Sequence, residues 1–208
     1  MRPPERRAVP TEIRTPRLLL RCPRSGDGQA LHDAIHASAE HLRPWMHWAQ
    51  DPGDVASYEA NVRRAASRFV IREELRYLMF SADGTTLLGS TGFHTLDWRV
   101  PKAEIGYWIS AAHAGRGLVT EAVDALVTTG FEELGFQRIE VRCDARNERS
   151  ARVPRRLGLP LEGVLRNDDV AAHDPNELRD TLLFAVTPDA WAPRRRARQS
   201  STSPTPKP

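Results

Sequence analysis

The chain of 208 residues contains only two cysteines, Cys22 and Cys143. They stand in no metal-ligand spacing, which excludes a disulfide scaffold and a zinc module, and both read as ordinary packed thiols. Nothing near Cys143 looks like a Cys/His pair, so no thiol nucleophile is indicated. No stretch approaches the roughly 20 apolar residues of a membrane helix. The opening MRPPERRAVP has basic residues but no apolar core, unlike a secretory signal. The expectation is a cytoplasmic protein without membrane contact. Two nucleotide signatures are also missing: there is no G-x-G-x-x-G with an acidic residue about 20 positions on, and no Gly-Lys-Ser/Thr ending to a glycine loop. No internal repeat is present.

A net excess of positive charge is found at one end alone. Residues 192–208 hold Arg194, Arg195, Arg196, Arg198 and Lys207 with no acid, so setting these five charges aside takes the formal net charge from +3 to −2. The basic balance belongs to this Pro/Ser/Thr-rich tail, which cannot bury a core and is expected to be disordered. It reads either as a solubilising end or as a weak contact for RNA or another acidic partner, with an affinity that falls steeply with salt. The length suits one domain with a proper core. The division expected is a disordered leader over 1–11, a domain over 12–191 and the tail over 192–208.

Along the domain, Glu12 to Cys22 reads as a strand, with Leu18, Leu19 and Leu20 at its centre. Ser25 and Asp27 offer caps for a helix to about Glu40. Pro44 then blocks helix continuation, and Trp45, Met46 and Trp48 cluster in a loop, either packed under the next helix or lining a pocket. His47 between the tryptophans reads more readily as a surface or packing residue than as a base. Asp54 caps a helix to about Glu74. Leu75 to Ser81 and Thr86 to Phe93 form a hairpin across Asp83-Gly84, with Gly89 and Gly92 marking a bulge or a close backbone approach.

Residues 104–134, EIGYWISAAHAGRGLVTEAVDALVTTGFEEL, carry the densest signal. Glu104 to Ser110 reads as a buried strand, and Val119, Ala122, Val123, Leu126 and Val127 as one face of a helix. Between them, Gly115 and Gly117 either merely turn the chain or bring its backbone close to a ligand. The amides of the first helical turn, with Thr120 and Glu121 in it, offer an anion site to a phosphate-bearing molecule. Gln137 to Asp144, a short helix from Asn147 to Gly158, and strands at Glu162 to Ala172 and Leu178 to Val186 complete the order β-α-α-β-β-β-α-β-α-β-β.

This order resembles that of the GNAT acetyltransferases from about Glu12 to Trp191. The phrases T-x-R-L-x-L-R, K-A-E-I-G-Y-W-I, H-x-G-x-G, N-x-x-S and E-G-V-L-R are similar to the RimJ/RimL group. In the acetyl-CoA signature of the family, Gln/Arg-x-x-Gly-x-Gly/Ala, Ala114, Gly117 and Val119 take the three fixed positions. Only Gly117 keeps the usual residue, which shifts the weight to main-chain amides. The resemblance implies an α/β (α+β) fold, a mixed, mostly antiparallel twisted sheet of about seven strands flanked by four helices. It also implies acetyl transfer from acetyl-CoA to a primary amine without a covalent enzyme intermediate or a metal, most directly onto the N-terminus of a ribosomal protein. Aminoglycoside or polyamine acceptors, a non-catalytic coenzyme-binding or ribosome-associated module, and a homodimer are the open alternatives.

The same resemblance assigns the coenzyme to Ile109, Ser110, Gly115, Arg116, Gly117, Leu118, Val119, Thr120, Asn147 and Ser150. It puts Trp45, Trp48 and Tyr107 on the acceptor side, and gives Ser150 the role of protonating the thiolate, since the tyrosine acid of another branch is replaced by Pro154. The proposed base falls on Asp169, with Glu104 the competing carboxylate and Asp168 the alternative if the strand slips by one residue.

Overall fold

The apolar run that opens the domain contains a proline, which cannot donate to a sheet ladder and breaks the run into two strands. In the computed structural model, which describes residues 7–191, β1 (Glu12–Arg14) and β2 (Leu18–Arg21) form a hairpin around Thr15, Pro16 and Arg17. The Thr15 amide donates to the Leu18 carbonyl at 2.9 Å and closes the turn. The single first strand expected over Glu12 to Cys22 is therefore two, and the sheet has eight strands where about seven were expected.

The remaining elements follow the expected order. They are α1 (Gly28–His36), the single turn α2 (Ala39–Leu42), α3 (Val55–Val70), β3 (Leu75–Ser81), β4 (Leu87–Asp97), β5 (Lys102–Ile109), α4 (Leu118–Thr129), β6 (Arg138–Asp144), α5 (Glu148–Leu157), β7 (Leu161–Val170) and β8 (Leu178–Val186). The count of α-helices is five among the described residues, one more than expected, because the first helix stops at His36 and a separate turn follows it. Asp54 caps α3 as its position implies, its carboxylate accepting from the Ser57 amide at 2.8 Å. Gly89 permits the close approach of β4 to β5: a Cβ there would lie 2.2 Å from the Trp108 carbonyl oxygen.

The strand order is β1-β2-β3-β4-β5-β6-β8-β7. All neighbours are antiparallel except β5 and β6, which run parallel and pair only at Lys102 with Arg138, Ala103 with Ile139 and Glu104 with Glu140. Beyond Glu104 the two strands part, β5 staying with β4 and β6 with β8. This V is what positions the site.

Two apolar layers hold the halves in place. One gathers Val123, Leu126 and Val127 of α4 against Tyr77, Phe93, Ile105 and Val141. The other packs Leu31, Ile35, Tyr58 and Val62 of α1 and α3 against Leu78, Phe80 and Trp108. Val9 packs against the first layer, and the Pro10 carbonyl accepts from the Tyr77 hydroxyl at 2.7 Å. The end of the expected leader is thus tied down, while residues 1–6 and the tail over 192–208 lie outside the described residues. Among the described residues no helix is long and apolar enough to cross a membrane.

Candidate active site

Gly115 and Gly117 both adopt left-handed backbone, at φ +78° and +77°, a region that costs a side-chain-bearing residue strain. Gly117 is the N-cap of α4 and no side chain caps the helix. Among the described residues, the amides of 115–120 have no partner within the chain, leaving a run of donors at the positive end of the helix dipole.

The loop is anchored from behind. Arg17 donates through its amide and Nε to the Glu121 carboxylate at 2.9 and 2.6 Å, Thr15 donates to the same carboxylate at 2.6 Å, and Arg17 Nη1 donates to the Arg116 carbonyl at 2.9 Å. Burial works against the Glu121 charge, but these hydrogen bonds outweigh it and hold the carboxyl below its usual range. The loop opens onto a cleft of about 450 Å³, lined by Ile109, Gly115, Gly117, Leu118, Val119 and Thr120 on one side and by Arg149, Arg152 and Arg156 of α5 on another. Unpaired amides facing three guanidinium-bearing residues fit a phosphorylated ligand.

Asn147 caps α5, its side chain accepting from the Ser150 amide at 3.0 Å. One turn later comes Pro154, which has no N–H to offer the Ser150 carbonyl. That carbonyl accepts instead from the Tyr107 hydroxyl at 3.0 Å, and the Ser150 hydroxyl donates to the Tyr107 oxygen at 3.2 Å. Burial pushes the Tyr107 phenol well above its ordinary value, so it stays protonated at neutral pH. Burial also raises the neighbouring Cys143 thiol to about 11, too high for a resting nucleophile.

Tyr107, Asn147 and Ser150 stand where this first cleft meets a second, of about 310 Å³, on the other side of the V. Trp45 lines both clefts and Trp48 the second, its ring edge-on to Trp108 at 5.7 Å. The floor of the second cleft carries Glu104, whose side chain is 19% exposed. Burial drives its carboxyl up to about 7, although Arg142 opposes this. Arg142 lies at 3.7 Å and is shared with Glu140 at 3.0 Å, and His94, at 3.9 Å, is itself kept neutral by burial. Loose partners leave the desolvation cost largely uncompensated.

The remaining expected residues are placed elsewhere. Asp169 lies on β7 and lines neither cleft; its carboxylate accepts from Arg179 at 2.5 Å. The register of β7 shifts between Leu165 and Asp169, just ahead of the position the resemblance marks. Asp168 is exposed and acts on Glu104 only as a like charge. Ser110 is buried with its hydroxyl unpartnered and does not line the first cleft, and Arg116 is exposed. The Arg17–Glu121 anchor, the Tyr107–Ser150 pair and the charged floor with His94 and Arg142 were not anticipated. Of these only Pro154, one turn after Ser150, left a trace in the sequence. Among the described residues no group of three or more His, Cys, Asp or Glu side chains could hold a metal.

A sheet split between one parallel pair, an amide-lined loop at one mouth of the split and a buried carboxylate at the other define a class of transferase that brings a phosphorylated donor and a second substrate together through the sheet. The acetyltransferase (GNAT) domain family matches residues 17–160, and the chain belongs to it. It is an acetyl-CoA-dependent N-acetyltransferase. It is 34% identical over 146 residues to YdaF of Bacillus subtilis (strain 168), provisionally named a ribosomal N-acetyltransferase, covering 68% of this chain and 76% of that protein. It is 26% identical over 147 residues to the ribosomal-protein-serine acetyltransferase of Escherichia coli (strain K12), covering 64% and 81%. In fold it is similar to a RimL ribosomal L7/L12 α-N-protein acetyltransferase in complex with coenzyme A, with a TM-score of 0.77 at 22% identity over 88% of this chain and 98% of that one.

Proposed function

We propose that the chain acetylates the α-amine of a protein N-terminus, with Glu104 as the base and the Ser150–Tyr107 pair as the proton source for the departing sulfur. The observation that carries the reading is a carboxyl at about 7 on the floor of the second cleft, close to the roughly 8 of an N-terminal amine. Glu104 therefore accepts the amine proton, directly or through a water, near neutral pH. Beyond Glu104, β5 has no partner strand on its β6 side, and main-chain donors on that splayed edge would suit the polarisation of a thioester carbonyl. The C–N bond forms as the C–S bond breaks, and the Ser150 hydroxyl, backed by Tyr107, supplies a proton to the thiolate.

The relatives named for ribosomal substrates support a protein acceptor. The aromatic wall of Trp45, Trp48 and Trp108 suits an extended peptide, to which flat rings give contact area at low entropy cost. A cytoplasmic location, where nascent chains and acetyl-CoA meet, belongs with this reading. The test is thiol release from acetyl-CoA across Ser- and Ala-starting peptides, polyamines and aminoglycosides. Turnover concentrated on peptides supports the proposal; turnover confined to the small amines overturns it.

A further inference from the structure

Several guanidinium groups line the acceptor cleft, and all but one have a carboxylate partner. Arg142 is held by Glu140 at 3.0 Å and approached by Glu104 at 3.7 Å, and Arg179 is held by Asp169 at 2.5 Å. Arg76 of β3 lines the same cleft, yet its one hydrogen-bond partner among the described residues is the neutral Asn61 Oδ1, at 2.5 Å. No carboxylate lies within ion-pair distance of it among the described residues. Glu74, which also lines the cleft, favours the Arg76 charge from beyond ion-pair distance, but its own ion pair is with Arg68 at 3.4 Å. An arginine stays charged even when burial lowers its pKa, as it does here, and a guanidinium has five donors to satisfy.

The strand register sets that charge across the sheet from the reaction centre, within the same cleft. Arg76 pairs with Gly92 on β4, and Gly92 with Gly106 on β5. In the row that joins Arg76 to β5, both positions are glycines without side chains, so what stands over the row is the neighbouring His94. The His94 ring lies across Gly106, 2.5 Å from where a Cβ would stand. Two strand spacings of about 4.8 Å separate the Arg76 and Gly106 backbones, roughly three residues of an extended peptide, and the arginine and acidic side chains reach across part of that span.

We infer that Arg76 is an anion-binding subsite that selects acceptors carrying a carboxylate one or two residues from the amine to be acetylated. A carboxylate matches the planar fork of the guanidinium bidentately. A phosphate dianion fits less well, because Glu74 and Glu104 share the cleft. This inference rests on the proposal that the second cleft receives the amine, and it deepens that proposal by naming the acceptor chemistry.

The experiment uses the full chain, acetyl-CoA and peptide pairs identical except for Glu against Gln, or Asp against Asn, at the second or third position. Wild type is expected to favour the acidic member roughly tenfold or more in kcat/KM, chiefly through KM. Arg76→Gln should erase that preference while leaving coenzyme affinity unchanged, and Arg76→Lys should keep part of it. Should Arg76→Gln fail to fold, the wild-type pairs and Arg76→Lys still decide. Equal wild-type rates on acidic and neutral peptides overturn the Arg76 subsite and leave the N-terminal reading standing. If no peptide is acetylated but glutamate is preferred over glutamine in an Arg76-dependent way, the subsite stands and the N-terminal reading falls.

Discussion

At the scale of single residues, Glu104 is where burial and chemistry meet most directly. Replacing it with Gln keeps its shape and removes its basicity, so kcat/KM is expected to fall on the order of 100-fold or more. The pH profile separates this from a packing defect. Wild type should show a rising limb near the Glu104 value of about 7, and Glu104→Gln should lose it while keeping the limb of the amine near 8. Stability should move the other way. The folded carboxyl holds its proton up to about 7 against an ordinary value of 4.5, so the folded state binds the proton more tightly than the unfolded one. Stability is then present below about 4.5 and lost as pH rises toward 7. Thermal melts should therefore show Glu104→Gln gaining on wild type between pH 5 and pH 8, and a wild type equally stable at both would contradict the buried-acid account. At the junction, Ser150→Ala and Tyr107→Phe should each lower kcat more than they weaken acetyl-CoA binding, measured by calorimetry beside steady-state rates. Unchanged turnover in both variants removes the pair from the reaction.

At the scale of elements, what was legible in the sequence was what is local. Asp54 before an amphipathic run, Asp83-Gly84 between two strands and the glycines ahead of α4 each act within a turn or two, and each does in the structure what its chemistry implies. The anchor of the glycine loop was not legible, because Arg17 and Glu121 meet only after β2 and α4 are brought together across 104 positions. Asp169, which the family resemblance marks on β7, lines neither cleft, and the register of β7 shifts just before it, an irregularity that no residue pattern announces. The anchor supports a prediction of its own. Glu121→Ala leaves the Thr15 hydroxyl and two Arg17 donors without their acceptor and should cost about 1–3 kcal/mol of stability. It should also weaken acetyl-CoA binding by loosening the loop, with kcat changed less than KM. Chemical denaturation and coenzyme titration on the same sample check both, and unaltered affinity would show that the amides keep their arrangement without the anchor.

At the scale of the whole molecule, the eight-stranded sheet works as a divider with one opening. Partial pairing of β5 with β6 creates that opening, the apolar layers under α4 and under α1 with α3 keep its sides apart, and α5 brings Ser150 to the point where the two clefts meet. Charge is distributed to match, with arginines of α5 beside the glycine loop and a mixed, mostly paired set on the floor of the second cleft. The family could be read from the sequence because the strand, loop and helix around Gly117 are contiguous. The cleft floor could not, because Arg76, His94, Glu104 and Arg142 come from four different strands. The measurement that bears most directly on this arrangement is a crystal structure of the chain with coenzyme A. The account predicts the pyrophosphate on the amides of residues 115–120 and the sulfur within hydrogen-bond reach of the Ser150–Tyr107 pair. Coenzyme bound elsewhere, or a sulfur pointing away from that junction, would contradict it.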